Sequence, residues 1–283
     1  MKLVDVIDSI YVKSVTGTLE VPVSGVYYDS RQVKPGGVFC ALKGGGRDGH
    51  DYLNAAIDNG AVAIISERPN PAAFAVTWLE VGDARAAMAI AAGNLEEWPS
   101  RELFVVGVTG TNGKTTTAYL IHHLLQSILH RAGMIGTIQY STGDAVIEAP
   151  HTTPESTDLQ RLFREMRNAD CRGMVMEVSS HGLAQKRVAG VSFVVGIFTN
   201  LTQDHLDFHH TMDSYFASKR LLFEQMDQDT HKQGVAIINA DDVYGDRLNK
   251  THFGHLKKFT YGRSVGADFR ASEIRSDFNG TQF

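Results

Sequence analysis

Leu103-Phe104-Val105-Val106-Gly107-Val108-Thr109-Gly110-Thr111-Asn112-Gly113-Lys114-Thr115-Thr116 is the stretch that decides the fold. Its first six residues form an apolar run of buried-strand length. Beyond it, Ala118, Ile121, Leu125 and Ile128 recur at helical spacing, and Gly133 is placed where a C-terminal cap belongs. Strand, glycine-rich turn and helix in that order predict a phosphate-binding loop, read against the pattern G-x-x-x-x-G-K-[ST] with Gly107 as its first glycine. Glycines let backbone N–H groups converge on phosphate oxygens, and the helix adds the positive end of its dipole. Gly110, Thr111, Asn112, Gly113, Lys114, Thr115 and Thr116 are therefore the expected nucleotide-binding residues. Lys114 would reach the β- and γ-phosphates, and the Thr115 hydroxyl would ligate Mg²⁺. An ordinary glycine-rich βα turn is the bland alternative; the strand and helix on either side weigh against it.

Outward from this loop the alternation continues. Met134–Tyr140, Gly173–Val178, Phe193–Phe198 and Val235–Asn239 read as strands. Leu159, Leu162, Phe163 and Met166 mark one helix, and Tyr215–Met226 another. Asp268–Phe283 reads as strand–turn–strand, turning at Asn279-Gly280. The expected class is α/β, with a P-loop, mostly parallel, doubly wound sheet over residues 100–283. Upstream, Val21–Tyr28, Gly36–Leu42 and Ala61–Ser66 are short apolar runs, and Tyr52–Ile57 is helical. Alanine-rich Ala84–Leu95 is a boundary helix followed by Pro99. Residues 1–99 are thus expected to form a small N-terminal α/β domain.

Composition narrows the function. The 283 residues are 43% hydrophobic and 21% charged, which excludes a mainly disordered chain. A net charge of −5, from 27 basic and 32 acidic residues, offers no electrostatic footprint for nucleic acid. The longest strongly apolar stretch, Val191–Leu201, is about half of what a membrane-spanning helix needs. Asp5 and Asp8 interrupt the segment where a signal peptide would be apolar, so no membrane insertion is expected. Two cysteines, Cys40 and Cys171, suit a reducing cytoplasm.

Chemistry-bearing residues cluster after the predicted strands. Glu177 stands late in an apolar run, where a carboxylate is costly unless paired or metal-bound, and a P-loop needs a second metal anchor at such a strand end. Phe193–Phe198 leads into Asp204-His205-Leu206-Asp207-Phe208-His209-His210. His205 and His209 have the i, i+4 spacing of zinc ligands, but no cysteine or compact third ligand accompanies them. One histidine serving a Mg²⁺–nucleotide site is the better reading. Lys219 lies on the same helical stripe as Tyr215, Phe216, Leu222, Phe223 and Met226. Spacing alone leaves two readings level: a side chain that snorkels to the surface, or a functional lysine whose depressed pKa lets it react with CO₂ to form a carbamate.

Together these segments resemble the Mur ligase family, over nearly the whole chain. The resemblance rests on Asp29-Ser30-Arg31 with Val33-Lys-Pro-Gly36, Asp48-Gly49-His50, Gly110–Thr116, His151-Thr-Thr-Pro-Glu155, Glu177-Val-Ser-Ser-His-Gly-Leu183 with Gln185 and Arg187, Asp204-His-Leu-Asp207, and Lys219-Arg220. The Thr-Thr-Pro and Ser-Ser-His-Gly-Leu segments are similar to the MurE type within it. That resemblance implies an ATP-dependent amide ligase of peptidoglycan synthesis. Its members activate UDP-MurNAc-L-Ala-D-Glu as an acyl phosphate and add a diamino acid, meso-diaminopimelate or L-lysine. It implies Lys114, Glu177, His205 and Lys219 as catalytic residues, with Mg²⁺ held by Thr115, Glu177, His205 and the carbamate of Lys219. Residues 1–99 become the UDP-binding domain, with Tyr28, Ser30, Gly45, Gly46 and Arg47 near the UDP group. His151, Thr152, Thr153, Ser179, Gln185 and Arg187 are implied to hold the muramoyl dipeptide. Residues 100–283 become the central ATPase domain of a monomer.

The family has a third, C-terminal domain carrying the amino-acid pocket, and the chain is expected to be a fragment or truncated form that stops inside its second domain. Two competing readings follow: another Mur-type or folylpolyglutamate-type ligase, or a non-catalytic module binding nucleotide or UDP-muropeptide. A P-loop kinase or GTPase is disfavoured, because the chain has no Asn/Thr-Lys-x-Asp motif.

Overall fold

In the computed structural model of the chain, all residues are described except Gly45, Ala72, Ala73, Asn279 and Phe283. The chain divides into two compact units. The first comprises Met1–Pro99 with Pro154–Arg164 and Gln185–Val191; the second comprises Ser100–Thr153, Glu165–Ala184 and Ser192–Phe283.

The first unit runs α1 (Leu3–Val6), β1 (Val12–Thr16), β2 (Gly25–Tyr27), β3 (Gly37–Cys40), α2 (Leu53–Asp58), β4 (Ala61–Ser66), β5 (Thr77–Val81) and α3 (Ala84–Glu96). Its sheet has the order β1-β5-β4-β3-β2, parallel except for β1 against β5. Side chains alternate across a strand, so a sheet covered on both faces reads as a continuous apolar run. Val38, Cys40 and Ile65 pack with Ala84, Ala87, Met88 and Ala91 of α3, while Phe39, Ile64 and Trp78 pack with Leu53 and Ala56 of α2. Asp83 starts α3 by accepting from the Ala86 N–H.

The second unit is built on β6 (Phe104–Thr109), α4 (Lys114–Leu129), β7 (Ala132–Ile135), β8 (Gln139–Ser141) and β9 (Val146–Glu148). Helix α5 (Ser156–Asn168), whose residues up to Arg164 belong to the first unit, follows in the chain, then β10 (Gly173–Glu177), α6 (Ser180–Ala184), β11 (Val195–Phe198), α7 (Leu206–His209) and α8 (Met212–Gln228). The remainder is β12 (Val235–Asn239), α9 (Val243–Lys250), β13 (Lys257–Gly262), β14 (Phe269–Arg270) and a hairpin of β15 (Arg275–Asp277) and β16 (Gly280–Gln282). The main sheet has the order β14-β13-β12-β11-β6-β10-β7-β8-β9. It is parallel from β14 to β7, with β8 and β9 added antiparallel. Among the described residues, no helix is long and apolar enough to cross a membrane.

Several local expectations are corrected. Gly133 is no helix cap; it lies inside β7. A Cβ there would stand 2.3 Å from the Met166 sulfur, so the glycine lets Met166 pack against the strand, and α4 ends instead at His130 with φ +64°. The run Met134–Tyr140 is two strands, because the Thr137 N–H and hydroxyl turn in to bond Glu177 and the chain doubles back. Within the last predicted strand pair, Phe269–Arg270 joins the main sheet beside β13, and Arg275–Asp277 is the strand that pairs with Gly280–Gln282. Asn279 of the expected turn lies outside the described residues.

Candidate nucleotide and substrate sites

Parallel pairing of β6 with β10 and β11 brings three carboxyl ends together, where ligands of open α/β sheets bind. The loop glycines are Gly110 and Gly113. Gly107 lies within β6, one residue too early for the predicted spacing. Gly110 has φ +147°, and a Cβ there would lie 1.9 Å from Thr199 Oγ1, a position open to glycine alone. Segment 199–202 frames the loop. The Thr111 N–H donates to the Asn200 carbonyl at 2.9 Å, Asn112 N–H to Asn200 Oδ1 at 3.0 Å, and Thr199 Oγ1 to the Asn112 carbonyl at 2.7 Å.

Two lysines meet on one loop oxygen. Lys114 Nζ donates to the Gly110 carbonyl at 2.9 Å and to that of Thr111 at 2.8 Å, while Lys219 Nζ donates to the Gly110 carbonyl at 2.7 Å. Burial lowers the Lys114 pKa, against the pull of Glu177 and Asp204. Lys219 is 1% exposed, and burial, reinforced by the Lys114 charge, drives its pKa well below the usual lysine value. The stripe reading is thus correct in placement, and snorkelling is not what this side chain does.

Glu177 ends β10 fully buried. Its Oε2 accepts from Thr115 Oγ1 at 3.0 Å and Thr137 Oγ1 at 3.1 Å, and its Oε1 from the Thr137 N–H at 2.9 Å. On the other side of the loop, Tyr215 is a hub. Its hydroxyl meets Thr111 Oγ1 at 3.2 Å, its ring lies 4.7 Å from Lys219 Nζ, and the His205 and His209 rings stand 6.0 and 5.0 Å away. His205, at φ +53°, has Nε2 3.5 Å from Asp204 Oδ2. His209 turns elsewhere, between Ser180 Oγ at 2.9 Å and Ser218 Oγ at 3.3 Å. Burial, then the charges of His181 and Lys219, lower its pKa to about 4. Among the described residues, no group of three or more His, Cys, Asp or Glu is arranged to hold a metal.

The expected dipeptide residues fall in both units. In the second, the buried Thr153 hydroxyl donates to the Glu177 carbonyl at 3.0 Å and accepts from the Ser179 N–H at 3.0 Å. Thr152 Oγ1 meets Thr137 Oγ1 at 3.1 Å, and the His151 carbonyl accepts from the Tyr140 hydroxyl. In the first, Arg187 bonds Gln185 Oε1 at 2.6 Å and Glu155 at 3.0 Å, and Glu155 also pairs with Arg85 at 3.1 Å.

The first unit also holds a cavity of about 310 Å³. Tyr28, Ser30 and Arg47 line it, joined by Arg31, Arg85 and Glu155. The Tyr28 hydroxyl donates to Asp158 at 2.9 Å, and burial, then the Asp158 charge, raises its pKa. Gly46 is exposed outside that wall, and Gly45 lies outside the described residues. Sequence reasoning missed Thr137, Arg85 and Asp158, which have no local signal. Asp204 and Glu155 stand inside quoted motifs but were given no role of their own.

Residues 108–283 match the Mur ligase middle domain, and residues 22–95 match the catalytic domain of the Mur ligase family. The chain belongs to the Mur ligase family. It is 46% identical to the UDP-N-acetylmuramoyl-L-alanyl-D-glutamate--2,6-diaminopimelate ligase of Geobacter metallireducens, over 99% of this chain and 55% of that protein. Identity to the ligase of the same name from Geobacter sulfurreducens is 43%, over 97% of this chain and 54% of that one. A solved structure of a ligase of that name superposes with a TM-score of 0.83 at 28% identity, over 99% of this chain and 56% of the other. The fold is shared with MurF from Acinetobacter baumannii, at a TM-score of 0.62 and 23% identity over 92% of this chain and 55% of that one. The chain spans about half the length of the curated relatives it matches. Fold class and family are therefore those the sequence motifs implied.

Proposed function

We propose that this Mur ligase chain carries the ATP site and the UDP-sugar site of an ATP-dependent amide ligase acting on UDP-MurNAc-L-Ala-D-Glu. The observation that carries the proposal is the convergence of Lys114 and Lys219 on the Gly110 carbonyl, beside the Thr115–Glu177 pair. In this reading, loop residues Gly110–Thr116 cradle the phosphates. A carboxylate oxygen of the substrate attacks the γ-phosphorus, the bond to the β,γ-bridging oxygen breaks, and ADP leaves. The amine of a diamino acid then attacks the acyl carbon, loses a proton, and inorganic phosphate departs. Lys114 compensates charge on the transferring group. The relatives' names favour 2,6-diaminopimelate over lysine as the amine.

Thr115 Oγ1 and Glu177 Oε2 are the hard oxygen donors that Mg²⁺ takes, so these residues would hold it, with His205 and a carbamate of Lys219 as the further proposed ligands. When bound, the ion supplies charge neutralisation at the phosphates. The lowered pKa of Lys219 supports carbamate formation, in which the amine nitrogen bonds the CO₂ carbon and releases a proton. Tyr28, Ser30 and the Gly45–Arg47 loop serve the UDP group; Thr152, Thr153, Ser179, Gln185 and Arg187, with His151 at the edge, serve the muramoyl dipeptide. Residues 1–99 would be the UDP-binding domain and 100–283 the ATPase domain.

The test is calorimetric titration of the chain with ATP–Mg²⁺ and with UDP-MurNAc-L-Ala-D-Glu, followed by ADP release with both present. The proposal expects both ligands to bind and the pair to release ADP. Nucleotide binding without affinity for the UDP-muropeptide refutes the assignment, and binding of both without ADP release makes the chain a binding module.

A further inference from the structure

The first unit contains a Ser–His–Asp array that the proposed ligase chemistry does not use. Asp48 Oδ1 stands 2.7 Å from His50 Nδ1, and His50 Nε2 stands 2.8 Å from Ser66 Oγ. Those are the distances of a hydrolytic triad. Ser66, however, is the last residue of β4 and has none of its surface exposed, so no acyl group can reach its oxygen. Its hydroxyl is also committed, because Oγ accepts from the Arg68 N–H at 2.9 Å.

Every member of the array is hydrogen-bonded. Asp48 accepts from the His50 N–H at 3.0 Å, from His50 Nδ1, and from the Arg68 guanidinium, which together hold its carboxyl well below the usual range. An ionised Asp48 places the imidazole proton on Nδ1. Nε2 then accepts from the Ser66 hydroxyl, and Ser66 accepts from Arg68. Each member has its partner, and the bonds through His50 are part-buried, where a satisfied polar network adds rigidity.

What the array holds still is one wall of the 310 Å³ cavity. Leu42, Gly44, Arg47, Gly49 and Tyr52 all line it, on the chain between β3 and α2. That wall is closed by two backbone bonds, Gly44 N–H to the Arg47 carbonyl at 2.9 Å and Gly49 N–H to the Leu42 carbonyl at 2.8 Å. Asp48 caps the turn Gly49–Tyr52. At the other end, Ser66 is fixed in β4, which is paired on both sides by β3 and β5. His50 joins the two side chain to side chain, alongside Arg68, whose N–H bonds Ser66 and whose guanidinium bonds Asp48.

We infer that His50 is a positioning residue for the UDP-bearing substrate. It ties the pocket wall to a buried strand, so that Arg47 and the wall's backbone meet the anionic diphosphate already ordered, and little ordering entropy is lost on binding. The inference rests on the reading of this cavity as the UDP-sugar site. A structural role alone would lower stability without acting selectively on one ligand.

The experiment compares His50→Ala, His50→Asn and Ser66→Ala with the unmodified chain. Affinities for UDP-MurNAc-L-Ala-D-Glu and for ATP–Mg²⁺ are measured by calorimetry, and amide exchange is followed at Gly44 and Gly49. Asn keeps a donor for Asp48 and loses the Ser66 arm; Ser66→Ala removes that arm from the other end. His50→Ala is expected to weaken the UDP-muropeptide about tenfold, the worth of roughly one net hydrogen bond. ATP affinity should hold, and exchange at Gly44 and Gly49 should accelerate. The other two variants should shift in the same direction by less, and Ser66→Ala carries the test should His50→Ala not fold. Unchanged UDP-muropeptide affinity despite faster exchange overturns the inference, as does equal weakening of both ligands. No UDP-muropeptide binding by the unmodified chain overturns the cavity reading itself, and the inference with it.

Discussion

Gly110→Ala tests the geometry of the loop directly. The new methyl carbon would stand 1.9 Å from Thr199 Oγ1 and 3.1 Å from both the Asn200 nitrogen and its carbonyl oxygen. The two backbone contacts leave no escape in that direction, so Thr199 must rotate. Rotation breaks its 2.7 Å bond to the Asn112 carbonyl and its longer bond to Thr109, at about 1 kcal/mol for the better one. Forcing a residue with a Cβ to φ +147° adds roughly 1–2 kcal/mol. The expected loss is therefore about 3 kcal/mol in urea unfolding followed by circular dichroism. ATP affinity should fall with it, since the displaced carbonyl is the one that both lysines use. Thr199→Ala should cost about 1 kcal/mol alone. Once Thr199→Ala has removed the obstructing oxygen, Gly110→Ala should cost about 1 kcal/mol less than it does in the unmodified chain. A Gly110→Ala stability within about 0.5 kcal/mol of the parent, or strict additivity in the cycle, would refute the reasoning.

Two further outcomes are expected. His209 is neutral in folded and unfolded chains above about pH 6.5; below that the unfolded imidazole takes up a proton while the folded one resists to about 4, so stability is lost as pH falls between those values, by about 3 kcal/mol at most. His209→Gln should flatten that limb of the Tm-against-pH curve, and an unchanged limb would show that another group causes it. Lys219→Ala should end ADP release from ATP plus UDP-MurNAc-L-Ala-D-Glu, and a small carboxylic acid in solution should partly restore it; undiminished release removes Lys219 from the mechanism.

What the sequence made legible was whatever is encoded by near neighbours. The stripe of Tyr215, Phe216, Leu222, Phe223 and Met226 is buried as its period demanded, and Lys219 is buried with it. Glu177 stands out because the four residues before it in β10 are all buried, and it is buried with them. Strand β1 was invisible because four of its five residues are exposed and its pairing partner β5 lies some sixty residues away. The Tyr28–Asp158 bond and the Arg85–Glu155–Arg187 chain join residues far apart in sequence, so no local pattern announces them. The His205–His209 spacing is that of zinc ligands, but no third ligand accompanied it, and the chain sends His209 into hydroxyls of α6 and α8.

The convergence of two lysines bears on the carbamate proposed at Lys219. Both ammonium groups lie within hydrogen-bond reach of one carbonyl oxygen, so they are less than about 6 Å apart, and two full charges there would repel by roughly 3 kcal/mol at an effective dielectric constant of 20. Burial adds a larger cost for Lys219, the more deeply enclosed of the pair, and the charge of Lys114 falls on it besides. Losing the Lys219 proton relieves both terms and leaves a nucleophilic amine 2.7 Å from the loop carbonyl. Carbamate formation then goes further than relief. It places a negative charge where the repelled positive one stood, so that the interaction with Lys114 changes sign without any movement of the backbone. One covalent step would convert the main electrostatic conflict at this loop into an attraction, and that reversal is the physical reason a carboxylate supplied from solution should serve where Lys219 has been cut back to alanine.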